Sequence, residues 1–96
     1  MAFIWEHEED CKFYMGRPFT HVHEYLDACQ ERYPITIFGA RHRKARHNAY
    51  GVEHCKWKWG DEGELAAKIH LVRDYYGLFL GTELAIITRL ADGMLY

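Results

Sequence analysis

The sequence predicts an all-α fold, a compact single-domain bundle of about five helices over residues 1–96. Three observations predict it. Apolar residues recur at spacings of three and four along most of the chain, the period of an amphipathic helix. Glycine and proline fall mainly between those periodic stretches, where helices stop. Hydrophobic residues make up 49% of the chain and aromatic residues 16%. A chain of this length buries roughly two-thirds of its unfolded surface, so that content suffices for one core.

The elements follow in order. Residues 3–15 place Ile4, Cys11 and Met15 near one helical face with His7 beside them, and Gly16 and Pro18 stop the helix. A β-hairpin built from FIW and KFYM is the alternative for this stretch. Thr20 is a good N-cap for a second helix. Its stripe is Val22, Tyr25, Leu26, Cys29 and Tyr33, and Pro34 ends it. ITIF, residues 35–38, is β-branched and suits an extended start. From Phe38 to Trp59 the helical period returns, with Phe38, His42, Ala45, Ala49, Val52 and Trp59 on one stripe. Gly51 inside it costs about 1 kcal/mol relative to alanine, which a close helix crossing or an approaching ligand would explain. Gly60 ends this helix. Asp61 with Glu64 reads as a capping box for the next, whose stripe is Leu65, Ile69, Val72 and Tyr76, closed by Gly77. Thr82 caps a short last helix with Leu84, Ile87 and Leu90 or Ala91 inward, ended by Gly93.

Several functional classes are excluded or disfavoured. The chain has no serine, so Ser/His/Asp catalysis is out. There is no Gly-rich phosphate loop and no CxxC pair. Three widely spaced cysteines, Cys11, Cys29 and Cys55, read as reduced thiols in a cytoplasmic protein. No run of about 18 apolar residues is present, so no membrane span is expected. MAFIWEHEED has neither the basic nor the apolar region of a signal peptide.

The net charge of −2 hides an asymmetry. Residues 1–31 carry seven acids against two bases, residues 32–58 seven bases against one acid, and the remainder six acids against three bases. Such a layout neutralises itself within a fold or leaves one basic face for an anionic partner. Seven histidines in 96 residues is the main compositional oddity. Imidazole is the commonest metal ligand and titrates near neutral pH.

Spacing turns these residues into a candidate site. On a helix, residues four apart share a face, so Arg43 pairs with His47, His42 with Arg46, and His70 with Asp74. Two helices joined at Gly60 are expected to pack antiparallel, which brings His47 level with His70 and Asp74. Two imidazoles and one carboxylate suit a divalent ion such as zinc, manganese or iron. His42, or His7, is the candidate fourth ligand, and His54 continues the face of His47. Arg43 and Arg46 are placed to hold a phosphate bidentately. Metal and arginines together point to phosphoester hydrolysis by a metal-activated water. The alternative is a hydrogen-bonded network, His70 being an ordinary partner of Asp74 and His47 a core residue.

A second class of reading uses Arg41, Arg43, Lys44, Arg46, Lys56 and Lys58, with Trp57 and Trp59 between lysines, to bind nucleic acid or a protein partner. On a helix this set wraps around the cylinder, as a solvated face also would. A third reading is a structural homodimer joined through Trp5, Phe13, Tyr14, Phe79 and Tyr96.

HRKARHNAYG followed by KIHLVRDYYG resembles a small family of bacterial and phage domains of unknown function. That family carries an HRxxRH block, a glycine four residues on, and a later histidine and acidic residue before a glycine. The matching positions are His42, Arg43, Arg46, His47, Gly51, His70, Asp74 and, one residue later than the family places it, Gly77. His7 and Gly16 resemble its N-terminal spacing. The resemblance implies that the histidine, arginine and aspartate set acts as a unit. The chain departs from it in the second helix, where EYLDAC stands in place of the family's histidine and tryptophan. The segment between the two motifs is also shorter here.

Overall fold

In the computed structural model residues 3–32, 49–77 and 82–94 are described. They form four helices, α1 (Ile4–Met15), α2 (Thr20–Arg32), α3 (Ala49–Tyr76) and α4 (Leu84–Met94). The all-α class is as expected, and the hairpin alternative for the first segment is not what forms. Among the described residues there are four where about five are expected for the chain. The stretches expected as separate helices on either side of Gly60 are one element, α3, which breaks inside at that residue (φ 77°, ψ −163°). Only one residue leaves the helical region, so the two halves join without a loop. A straight helix of 28 residues would run about 42 Å, longer than the 36 Å longest dimension of the molecule. The bend at Gly60 is therefore what lets the helix fit.

Gly63 fixes how the halves meet. A Cβ there would lie 2.6 Å from the Cys55 carbonyl oxygen and 2.6 Å from the Trp59 Cβ. Cys55 is eight residues back, so the chain after the break presses against the backbone before it. Only glycine allows that approach.

The helix starts correct the expected caps. At α1, the Glu6 carboxylate accepts the Phe3 backbone N–H at 3.1 Å. Gly16, in the left-handed region at φ 81°, closes it by donating to the Lys12 carbonyl. At α2, Phe19 and not Thr20 holds the cap position, because its carbonyl accepts from the Val22 and His23 N–H groups. Phe19 has φ 51°, a strained conformation costing about 1–2 kcal/mol, and its ring is buried. The Thr20 hydroxyl instead donates to Glu8 on α1 at 2.5 Å. At α4 the Glu83 carbonyl accepts from Ile86 and Ile87, while the Thr82 carbonyl accepts the Tyr14 hydroxyl at 2.6 Å. The helix also runs one residue past Gly93. Glu64 faces Lys56 and Lys68 at 3.6 and 4.0 Å.

The core lies where α1, α2 and α4 pack on α3. Its buried side chains include Val22 and Leu26 from α2, Ala66, Ala67, Ile69, Leu71 and Val72 from α3, and Ile87 and Ala91 from α4. Each large aliphatic side chain buried this way contributes about 1.5–3 kcal/mol. The predicted stripes supply most of this set, though Tyr76 is exposed. Phe38, His42, Ala45 and Tyr33 lie outside the described residues, as does the Cys29 side chain. Ion pairs tie the periphery together: Arg17 with Glu62, and Lys68 with Asp92 at 2.9 Å. No helix among the described residues is long and apolar enough to cross a membrane.

Candidate metal centre

Three helices each send one histidine into the interior. His7 of α1, His23 of α2 and His70 of α3 are all 0% exposed. Helical spacing accounts for two of these. His7 lies one turn before buried Cys11, and His23 one turn before Leu26. His70 sits between the core residues Ile69 and Leu71. The rings stack nearly parallel. His7 and His70 have centroids 3.6 Å apart and planes 15° apart, and His23 lies 5.1 Å from His70 at 20°.

Hydrogen bonding fixes the orientation of two of the rings. His23 Nε2 lies 3.0 Å from the Pro18 carbonyl. A carbonyl only accepts, so Nε2 carries the proton and Nδ1 is a bare acceptor. His23 Nδ1 is 2.9 Å from His70 Nδ1, so His70 must donate there. His70 Nε2 then faces two carboxylates, Asp27 Oδ1 at 3.2 Å and Asp74 Oδ2 at 3.3 Å. A bare lone pair against two carboxylates is untenable. A positive charge has to sit there, either a proton or a metal ion.

The distances bear on which. Charge-assisted N–H···O bonds are typically about 2.7–2.9 Å. The observed 3.2 and 3.3 Å are long for that. They lie at the long end of N–H···O bonding and near the spacing of about 3.3 Å between donors about 2.0–2.1 Å from a shared ion, so the geometry accepts either. His7 Nε2 approaches the other oxygen of the same aspartate, Asp74 Oδ1, at 3.2 Å. Neither His7 ring nitrogen makes a well-formed hydrogen bond, and Nε2 has only this close contact with the Asp74 carboxylate.

Electrostatics follow from burial and charge. Burial opposes protonation of His70, but its contacts with Asp27 and Asp74 outweigh that and its pKa is raised. Burial lowers His7, against the pull of Asp74. Burial, helped by His70 and His7, takes His23 down to about 2, so this ring is neutral. Asp10, one turn after His7, is 2% exposed, and its Oδ2 has no hydrogen-bond partner. Burial pushes its carboxyl up to about 6. Arg73 reaches Glu6 at 2.5 Å and Asp10 at 3.7 Å. Burial likewise raises the Cys11 thiol to about 12, which leaves it protonated and a poor ligand.

Buried histidine and aspartate groups able to hold a metal ion are therefore present. Two sets of three have donor atoms mutually within 4.8 Å: His7, His23 and His70, and Asp27, His70 and Asp74.

The expected site residues divide into three groups. His70, Asp74 and His7 come together. His42, Arg43, Arg46 and His47 lie outside the described residues, so the expected meeting of His47 with His70 does too. His54 is placed elsewhere, stacked on Tyr25 at 4.3 Å with Trp57 and Trp59 nearby. The reason is register: its face of α3 turns to the Tyr25 side of α2. Sequence reasoning missed His23 and Asp27 as a pair. The signal was there, because HEYLD (23–27) repeats the H-x-x-x-D spacing of HLVRD (70–74). EYLDAC, the departure from the resembled family, contains the carboxylate that faces His70. Of the aromatic surface, Trp5 and Phe13 are exposed and Tyr14 is tied to Thr82. Phe79 and Tyr96 lie outside the described residues. Comparison with protein-family models, with curated proteins and with solved structures gives no match.

Proposed function

We propose that this chain is a small helical metal-binding domain whose site is built on His70, Asp27 and Asp74. One observation carries the reading: His70 Nε2 faces two carboxylate oxygens at 3.2 and 3.3 Å while its Nδ1–H is committed to His23. The Pro18, His23, His70 chain is the outer support that metal-bound imidazoles use to fix their tautomer. Imidazole and carboxylate donors without a thiolate favour zinc, manganese or iron(II). Asp27, at 13% side-chain exposure, is the donor nearest solvent.

The chemistry proposed for this donor set is phosphoester hydrolysis. A divalent ion so held supplies Lewis acidity and an activated water. The chain's part is to present the ion and to hold anionic oxygens, with Arg43 and Arg46 as the proposed phosphate contacts.

The first test is elemental mass spectrometry on untagged protein, wild type beside His70→Ala. Near-stoichiometric zinc, manganese or iron that is lost in the variant supports the reading. Metal-free wild type after reconstitution removes it and leaves a proton on His70.

A second reading has its own observation. Trp57 is 80% exposed between Lys56 and Lys58, an arrangement suited to stacking on an unpaired base. It requires affinity for single-stranded DNA or RNA that falls steeply with salt and falls again in Trp57→Ala. Fluorescence anisotropy that finds no binding at low salt ends it.

A further inference from the structure

We infer that the site holds two divalent ions bridged by Asp74. This rests on the metal-binding reading and adds the nuclearity of the centre. The stacking of His7 on His70 carries it. Their planes are 15° apart and their centroids 3.6 Å apart. An imidazole offers its lone pair in the ring plane. An ion shared by both Nε2 atoms would lie between the two nearly parallel planes, out of each ring plane and off its lone pair. Parallel rings at this spacing do not converge on one ion. Each directs its lone pair to a position of its own.

Asp74 supplies what those two positions need. It is nearly fully buried and turns a different oxygen to each ring, Oδ1 to His7 at 3.2 Å and Oδ2 to His70 at 3.3 Å. A carboxylate with one metal-seeking nitrogen against each oxygen is a bridge. The first ion takes His70 Nε2, Asp74 Oδ2 and Asp27 Oδ1. The second takes His7 Nε2 and Asp74 Oδ1, and its remaining positions are open to water or to a substrate phosphate oxygen.

His7 gives an independent reason for the second ion. Its ring is 0% exposed, and neither nitrogen has a hydrogen-bond partner. A buried polar group left so is a cost to the fold. A ligand at Nε2 removes that cost for the atom that faces Asp74. Helical bundles build two-metal sites from donors spaced by one turn on facing helices, and His70 with Asp74 on α3 facing His7 on α1 has that layout.

The experiment counts metal per chain on the whole protein, reconstituted with manganese(II) and freed of excess ion, and records its electron paramagnetic resonance spectrum. Two equivalents with an exchange-coupled spectrum are expected. His7→Ala should retain one equivalent and give the uncoupled mononuclear pattern, with helical circular dichroism unchanged. One equivalent and an uncoupled spectrum in the wild type would overturn the bridged pair and leave the single-ion reading standing. No bound ion would overturn both. Two equivalents in a folded His7→Ala would overturn the assignment of His7. If His7→Ala does not fold, the wild-type count and spectrum decide the matter alone.

Discussion

Asp10 shows what one buried charge does to stability. Burial raises its pKa to about 6 in the folded chain, against about 3.9 for an unperturbed aspartate. Between these values the folded state holds a proton that the unfolded state releases. The Asp10 contribution is therefore fully present below about pH 4 and is lost as pH rises through 6. The difference between about 4 and about 6 corresponds to roughly 3 kcal/mol. In metal-free protein, Asp10→Asn should remove that slope and be more stable than wild type at pH 7, by up to about that amount. Urea unfolding of both proteins at pH 4.5 and 7 measures it. Equal slopes would mean that Arg73 already neutralises the carboxylate.

At the scale of the element, α3 is the informative one. Its break at Gly60 and the close approach at Gly63 have different causes, and substitution separates them. A Cβ at Gly60 meets nothing within 4 Å, yet φ 77° with ψ −163° belongs almost to glycine alone. Gly60→Ala should cost about 1–3 kcal/mol through backbone strain. At Gly63 the backbone is unstrained and the obstacle is contact, with two atoms at 2.6 Å. One of them is a backbone oxygen that cannot swing away. Gly63→Ala should cost about 1–3 kcal/mol by overpacking and should also widen the angle between the halves of α3. Chemical denaturation gives both costs. Metal affinity distinguishes them further: Gly63→Ala should weaken it, because His70 and Asp74 ride on the displaced half. Unchanged affinity in Gly63→Ala would show that the site tolerates the movement.

For the whole molecule, the site joins three helices. His7 comes from α1, His23 and Asp27 from α2, and His70 and Asp74 from α3. An ion binding only the folded chain stabilises it by about 2.7 kcal/mol at one hundred times its dissociation constant. Chelation should therefore lower the thermal midpoint of the whole chain in one transition, and zinc or manganese should restore it. A midpoint that does not respond to chelator or added ion would count against the metal centre. The α4 contribution is separate, since this helix packs on α3 through Ile87 and Ala91 and, among the described residues, places no side chain in the metal-capable groups.

Local periodicity was enough to determine the all-α class, the stop at Gly16, the break at Gly60, the end at Gly77, the described part of the α2 stripe (Val22, Tyr25 and Leu26) and the stripe of α4. Those features depend on neighbours within one or two turns, and a sequence records such neighbours directly. It also determined that His70 and Asp74 share a face, since four residues make one helical turn. Only the tertiary structure decided that His7, His23 and Asp27 join them. That grouping depends on the rotation of α1 and α2 against α3, which is set by the burial of Val22, Leu26, Ile69 and Val72 together. A one-residue change in helix rotation, about 100°, would carry His23 out to solvent. The caps at Phe19 and Glu83 were decided the same way, by a buried ring and by the bond from Tyr14 to Thr82, contacts distant in sequence that local spacing cannot encode.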